Sequence, residues 1–124
     1  MFDKKRNPSS IVDTSFLNEQ LDGDPEQIAM MISLFLKQSP KKIAELKEGV
    51  QKNDFIEIKA AAHFLKSSFA IMGISSKDLL SKVEKLSATN SELEKIKAFC
   101  TVIFKNYQES ILEYKKILSF INTK

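Results

Sequence analysis

Apolar residues recur at helical spacing through most of the chain with little to interrupt them, and this limits the fold more than any other feature. Three Gly and three Pro fall among 124 residues. These are the strongest local breakers of structure, so few of them means long elements with few joints. One run carries Ile28, Ile32, Phe35 and Leu36, then Ile43, Leu46 and Val50. Another carries Leu93, Ile96, Cys100, Ile103, Tyr107, Ile111, Tyr114, Leu118 and Ile121. The steps are mostly threes and fours, the repeat of one face of an α-helix, and no strand-like alternation competes with them. Long amphipathic helices joined by short loops predict an antiparallel bundle.

The helix ends are legible in the same way. Asp13 can cap a short first helix carrying Phe16, Leu17 and Leu21, which Gly23 stops. Asp24-Pro25-Glu26-Gln27 is a strong start signal: Asp accepts orphan N–H groups, Pro suits the first helical position, and Gln27 can close a capping box. Pro40 has no N–H to give and crowds the preceding turn, so a kink or short break is expected near Ser39, without a change of direction. Asn53-Asp54 can cap the next helix, with Glu57 completing a box, and Gly73 is its expected stop. A further helix is expected from Ser75 or Ser76 to about Ser87, and Ser91-Glu92-Leu93-Glu94 reads as another capping box.

Composition narrows the class. Hydrophobic residues make up 43% and charged residues 28%, a globular balance. The net charge of +3 is too mild to imply a nucleic-acid partner by itself. One cysteine, Cys100, allows no intrachain disulfide, which fits a reducing compartment, and a cytoplasmic location is expected. No apolar run approaches the length of a membrane span. The basic N-terminus has no apolar stretch behind it and does not read as a secretory signal. Residues 1–10 are expected to form a loose tail and residues 11–124 a single domain.

Segment 54–72 is the informative one. At about 100° per residue, Phe55, Ile58, Ala62, Leu65 and Phe69 share a face, and Ala61, Phe64, Ser68, Ile71 and Met72 widen the apolar arc. So wide an arc suits a helix with neighbours on two or three sides. The strip left outside holds Ile56, Lys59, His63, Lys66, Ser67 and Ala70. His63, the only histidine of the chain, therefore falls on an exposed strip with Lys59 one turn before it and Lys66 one turn after. Imidazole is a nucleophile near neutral pH, and a cation one turn away can neutralise an incoming phosphoryl group. On periodicity alone a lone exposed His is ordinarily a solvated surface residue, and lysines at these offsets are common. A glycine-rich phosphate loop, a Walker lysine and a kinase motif set are all missing, so the chain has no recognisable nucleotide site of its own. One His and one Cys argue against a zinc centre, and no other metal site is expected.

The stretch His63-Phe64-Leu65-Lys66-Ser67-Ser68-Phe69-Ala70-Ile71-Met72-Gly73 resembles the signature of histidine-containing phosphotransfer (HPt) domains. That signature is a His, an apolar residue two later, a Lys at the third position, small residues at the fourth and fifth, and a Gly ten after the His. The order of helices is similar over about residues 13–121. The resemblance implies an all-α fold, an antiparallel four-helix bundle with a short extra N-terminal helix. It implies that His63 is the phosphoacceptor, that Lys66 stabilises phosphate, and that Ser67 keeps the site open. Ile56, Lys59, Ser67 and Ala70 would form the partner-docking face. Phe35-Leu36-Lys37-Gln38-Ser39-Pro40 resembles the end of the neighbouring helix, from which Gln38 would approach the histidine. The family often has Gly where this chain has Ser67, a substitution read as tolerated because Ser is small. It also often has a Gln or Glu on the helix after Gly73 that bonds the second imidazole nitrogen; Glu84 and Lys85 are both candidates, and the register does not choose between them.

The function so implied is phosphocarrier rather than enzyme. A response-regulator receiver domain, possibly that of a hybrid histidine kinase, would hand a phosphoryl group from its aspartate to His63, which passes it to another receiver. The receiver would supply magnesium and most catalytic groups, so this chain needs no cofactor, and a monomer is expected. Two other readings stand beside it. A helical adaptor that binds a signalling partner without phosphorylation would have no use for His63. A nucleic-acid binder would need a clustered basic face, whereas Lys82-Val83-Glu84-Lys85 mixes signs as a solvated face does.

Overall fold

The computed structural model describes Glu19 and residues 22–122. The tail expected over 1–10 lies outside the described residues, and so does nearly all of the short helix expected to follow Asp13. At the end of that segment Asp22 and Gly23 form a turn with φ of 55° and 70°. Four helices follow: α1 Pro25–Lys52, α2 Phe55–Met72, α3 Lys77–Ala88 and α4 Leu93–Asn122. No strand occurs among the described residues.

Most ends form as the sequence predicts. The Asp24 carboxylate accepts the Glu26 N–H at 3.0 Å to start α1. The Asp54 carboxylate accepts the Glu57 N–H at 3.1 Å to start α2. The return half of that capping box has no donor to take, because the Asp54 N–H already goes to the Gly49 carbonyl at 2.8 Å. Gly73 closes α2 in the left-handed region at φ 71°, where a side chain would be strained. Two ends differ. Ser91 does not cap α4: its hydroxyl meets that of Thr89 at 2.7 Å and reaches back to the Leu86 carbonyl, serving the end of α3. Of the kink or short break expected near Ser39, no break occurs: α1 runs continuously through Pro40. A proline inside a helix costs about 3 kcal/mol. Pro40 is exposed, while Phe35 and Ser39 before it and Ile43 and Leu46 after it are buried on one face. Burial at about 1.5–3 kcal/mol per large apolar side chain outweighs the lost hydrogen bond.

The helices pack in a ring, α1 on α2, α2 on α3, α3 on α4 and α4 back on α1. Antiparallel pairing is visible in the contacts: Lys47 lies over the Phe104 ring, Ser39 meets Tyr107, and Phe35 meets Tyr114. The core is bound by an aromatic cluster centred on Phe35. Its ring sits edge-on to Phe69, Tyr107 and Tyr114 at centroid distances of 6.4, 6.2 and 5.9 Å, and Phe69 stacks on Tyr107 at 6.4 Å. The polar tips of this cluster are satisfied. The hydroxyls of Tyr107 and Ser39 are 2.8 Å apart, and the Tyr114 hydroxyl donates to the Met72 carbonyl at the end of α2. Asn106 of α4 donates to Ser76 at the start of α3. Cys100 is buried in α4, and burial pushes its thiol up to about 12. No helix among the described residues is long and apolar enough to cross a membrane.

Helices α1 and α2 approach closely at Gly49. A Cβ there would sit 3.0 Å from Ile58 Cγ1 and 3.1 Å from the Ile58 backbone nitrogen. Ile58 is fully buried and its N–H is bonded to the Asp54 carbonyl at 3.0 Å, so it cannot retreat. Alanine at this position ordinarily gains about 0.5–1 kcal/mol of helix propensity over glycine. Gly49→Ala should nonetheless lower the urea midpoint, with a net loss on the order of 1–2 kcal/mol from overpacking. A midpoint equal to or above that of the wild type would show that the α1–α2 contact yields.

Candidate functional site

Helix α2 is covered on two flanks, by α1 and by α3. Ile58, Ala61, Ala62, Leu65, Phe69 and Met72 fill those flanks and are buried. The strip left over is the one the sequence defines: Ile56, Lys59, His63, Ser67 and Ala70 are exposed, and Lys66 is half-buried. Phe64 and Ile71 were expected inside the apolar arc but stand at its margin, each more than a third exposed. The arc is narrower than the residue types suggest, because on the α1 side Lys42 rather than an apolar residue covers Phe64, its Nζ 4.9 Å from the ring centre.

The His63 side chain is 67% exposed, yet it is oriented by one partner. Its Nδ1 lies 2.8 Å from Glu84 Oε2, on α3. The other carboxylate oxygen of Glu84 is 2.8 Å from Lys66 Nζ. One carboxylate thus holds both the imidazole and the lysine that follows it by one turn. Glu84 is only 19% exposed. The Lys66 ammonium holds its carboxyl below the ordinary value of 4.5, against the opposing effect of burial, and the bond to His63 lowers it further. An ionised carboxylate can only accept hydrogen bonds. Nδ1 must therefore carry the proton, and in the neutral ring the lone pair then stands on Nε2, which has no partner among the described residues. An exposed imidazole with its lone pair at Nε2 is a nucleophile toward an electrophile arriving from solvent.

Lys59 is exposed and makes no ion pair among the described residues. Gln38 is exposed but forms no hydrogen bond with His63; it borders a groove with Met31, Leu34, Phe35, Ser68, Ile71 and Met72, further along α2. The antiparallel register of α1 on α2 accounts for this. Gly49 lies against Ile58 and Lys42 against Phe64, so Gln38 falls beyond the histidine's level. No group of three or more His, Cys, Asp or Glu side chains forms a metal-binding cluster among the described residues.

Glu84 is the site residue that the sequence left undecided. A signal was present. The buried positions of α3 are Leu80, Val83 and Ser87. At about 100° per residue Glu84 lies about 70° from the centre of that arc and Lys85 about 170°. Only the first can turn toward a neighbouring helix. The mixed charges of Lys82-Val83-Glu84-Lys85, read as a solvated face, include the one acid that leaves solvent.

Since the folded value of Glu84 lies below the ordinary one, the stabilisation from its ionised form is fully present above pH 4.5 and is lost as pH falls through the depressed value. Wild type should exceed Glu84→Gln in Tm at pH 7. The margin is on the order of 1 kcal/mol, held to that by solvent around Lys66 and His63. Thermal melts at descending pH should show the margin closing below about 4.5; a margin that persists far below that would refute the assignment.

A family model described as Hpt domain matches residues 30–103, which hold the second half of the site as well as the first. No curated protein and no solved structure matches the chain.

Proposed function

We propose, from the premise that this chain belongs to the Hpt domain family, that His63 is its phosphoacceptor, taking a phosphoryl group from a receiver-domain aspartate and passing it to another receiver. Hpt domains serve histidine phosphotransfer in two-component phosphorelays, as phosphocarriers rather than enzymes. The observation that carries the residue assignment is the hydrogen bond of His63 Nδ1 to Glu84. It fixes the proton on one nitrogen and leaves the other as nucleophile. In this reading Nε2 attacks the phosphorus of the aspartyl phosphate, the acyl phosphate bond breaks, and the carboxylate leaves. Magnesium comes with the receiver, and the carrier acts as a monomer in the cytoplasm. A hybrid histidine kinase is one source of such a receiver.

The docking face in this reading is the exposed strip of α2. Ile56 is 84% exposed, which offers an apolar anchor, and Lys59 supplies a cation for the acidic pocket that surrounds a phosphorylatable aspartate. Ser67 and Ala70 add no bulk. Gln38 extends the face across α1, without touching His63. Lys66 is the cation that meets the phosphoryl group, and its contact with phosphate contributes on the order of 1–3 kcal/mol.

Two variants test this reading. His63→Gln should keep its helical content and lose all acid-labile, base-stable label when incubated with a phosphorylated receiver; label retained on that variant would remove His63 from the role. Ala70→Glu should melt as the wild type does, because the position is exposed, but should transfer from a receiver at least about tenfold more slowly, through bulk and repulsion of phosphate. Normal transfer by that variant would place the docking face elsewhere.

A further inference from the structure

Helices α1 and α4 form the least closely packed seam of the ring. Two open cavities lie along it, each walled by both helices. In one, of about 340 Å³, Leu36, Pro40, Tyr107 and Ile111 form the apolar wall, and Lys115 is the single charge. In the other, of about 360 Å³, Met30, Leu34 and Leu118 form the apolar wall, and Lys37 is the single charge. Met30 is 70% exposed, and Leu112, 63% exposed, stands one turn from both Gln108 and Lys115. Pro40 gives the Leu36 carbonyl no helical donor, so the first cavity also has a backbone acceptor at its wall. Neither lysine pairs with an acid among the described residues, and no acid lines either cavity. No residue of the His63 strip lines them.

We propose that this seam docks an acidic amphipathic helix of a partner protein, which lays one apolar side chain in each cavity and sets carboxylates against Lys37 and Lys115. The spacing suits such a partner. Leu36 and Pro40 mark one cavity along α1, and Met30 and Leu34 mark the other. At 1.5 Å per residue their midpoints are about 9 Å apart, close to the two-turn repeat of one face of a helix. The charge suits it too, because two lysines without acids leave the seam positive and select an acidic face. A second copy is disfavoured by the same charges. A two-fold axis on the seam would set Lys37 and Lys115 against their own counterparts. A flat anionic bilayer would meet the lysines but brings no side chain shaped for either cavity. The occupant leaves His63 open, so the seam holds a partner while the strip on α2 meets another.

The full chain, labelled with 15N, is titrated with a fluorescent synthetic helix of about four turns. The peptide carries Leu and Phe two turns apart with Glu on either side. Its counterpart has Lys in place of each Glu. Fluorescence anisotropy reads affinity, and amide shifts read location. The acidic peptide should bind at least about tenfold more tightly than the basic one, and severalfold more weakly in about 0.3 M salt than in low salt. Shifts should centre on α1 from Ala29 to Pro40 and on α4 from Tyr107 to Leu118, with the His63 ring unmoved. The Lys37→Glu/Lys115→Glu variant should melt as the wild type does, because both positions are exposed, and should bind the acidic peptide about tenfold more weakly or worse. Lys37→Gln/Lys115→Gln should fall between. No binding of the acidic peptide up to about 1 mM, equal binding of the basic one, or full affinity in the charge-reversed variant overturns the proposal. Shifts centred on His63 overturn it by moving the peptide to the α2 strip. Sedimentation equilibrium showing a dimer that the charge reversal breaks would give the seam to a second copy. Cosedimentation with phosphatidylglycerol–phosphatidylcholine vesicles that the acidic peptide does not displace would give it to a bilayer. Either result also overturns the proposal.

Discussion

The arrangement depends on how helix α2 is clamped. Its two flanks are buried against α1 and α3, with Ile58, Ala61 and Ala62 at one level and Leu65, Phe69 and Met72 at the next. Small residues at 61 and 62 let the neighbours approach, and Gly49 does the same from the side of α1. Below the histidine the Phe35 aromatic cluster stops the helix from sliding, and the hydroxyl of Tyr114 ties its last carbonyl to α4. A helix held on two sides and at its end has one strip to offer solvent, and His63 is at the middle of it. Exposure and rigidity, which usually oppose each other, are obtained together because the backbone is buried and a single side chain is not.

That clamping also explains why one acid on a neighbouring helix can govern two groups on α2. His63 and Lys66 are a turn apart and fixed relative to each other by the helix itself. Glu84 needs to be placed only once, by Val83 beside it and Leu80 one turn before, both fully buried, to reach both. The cost of withdrawing its charge from water is limited by two donors at 2.8 Å.

Much of this was readable in the residue pattern, and the exceptions have physical causes. The caps Asp24 and Asp54, the stop at Gly73, the bundle and the exposure of His63 follow from local rules that tertiary packing does not oppose. Pro40 makes no break because propensity is local, whereas the burial that carries α1 through it comes from the other helices. Ser91 is misleading because two helix ends compete for one hydroxyl and the end of α3 takes it. Phe64 and Ile71 look like core by type, and only the partner chosen by α1 shows that they are margin. Gln38 was placed by resemblance, which transfers residue types more safely than the axial register of two helices. Glu84 was within reach of the pattern, but its charge argued for solvent, and a charge in contact with a neighbouring helix is distinguished from a solvated one only by its position relative to the buried arc of α3.

Cys100 supplies the chain with an internal clock. The thiolate is the reactive form of cysteine, and burial against the other helices pushes this thiol up to about 12, so that in the closed bundle almost none is present. Reaction with an alkylating reagent therefore waits for α4 to part from its neighbours. The rate of modification measures how often that happens, residue-specifically and without denaturant. Since Tyr107 and Tyr114 of α4 meet Phe69 and the Met72 carbonyl of α2, the same rate, compared with and without a phosphoryl donor, reports whether charge added at the surface of α2 is felt across that contact.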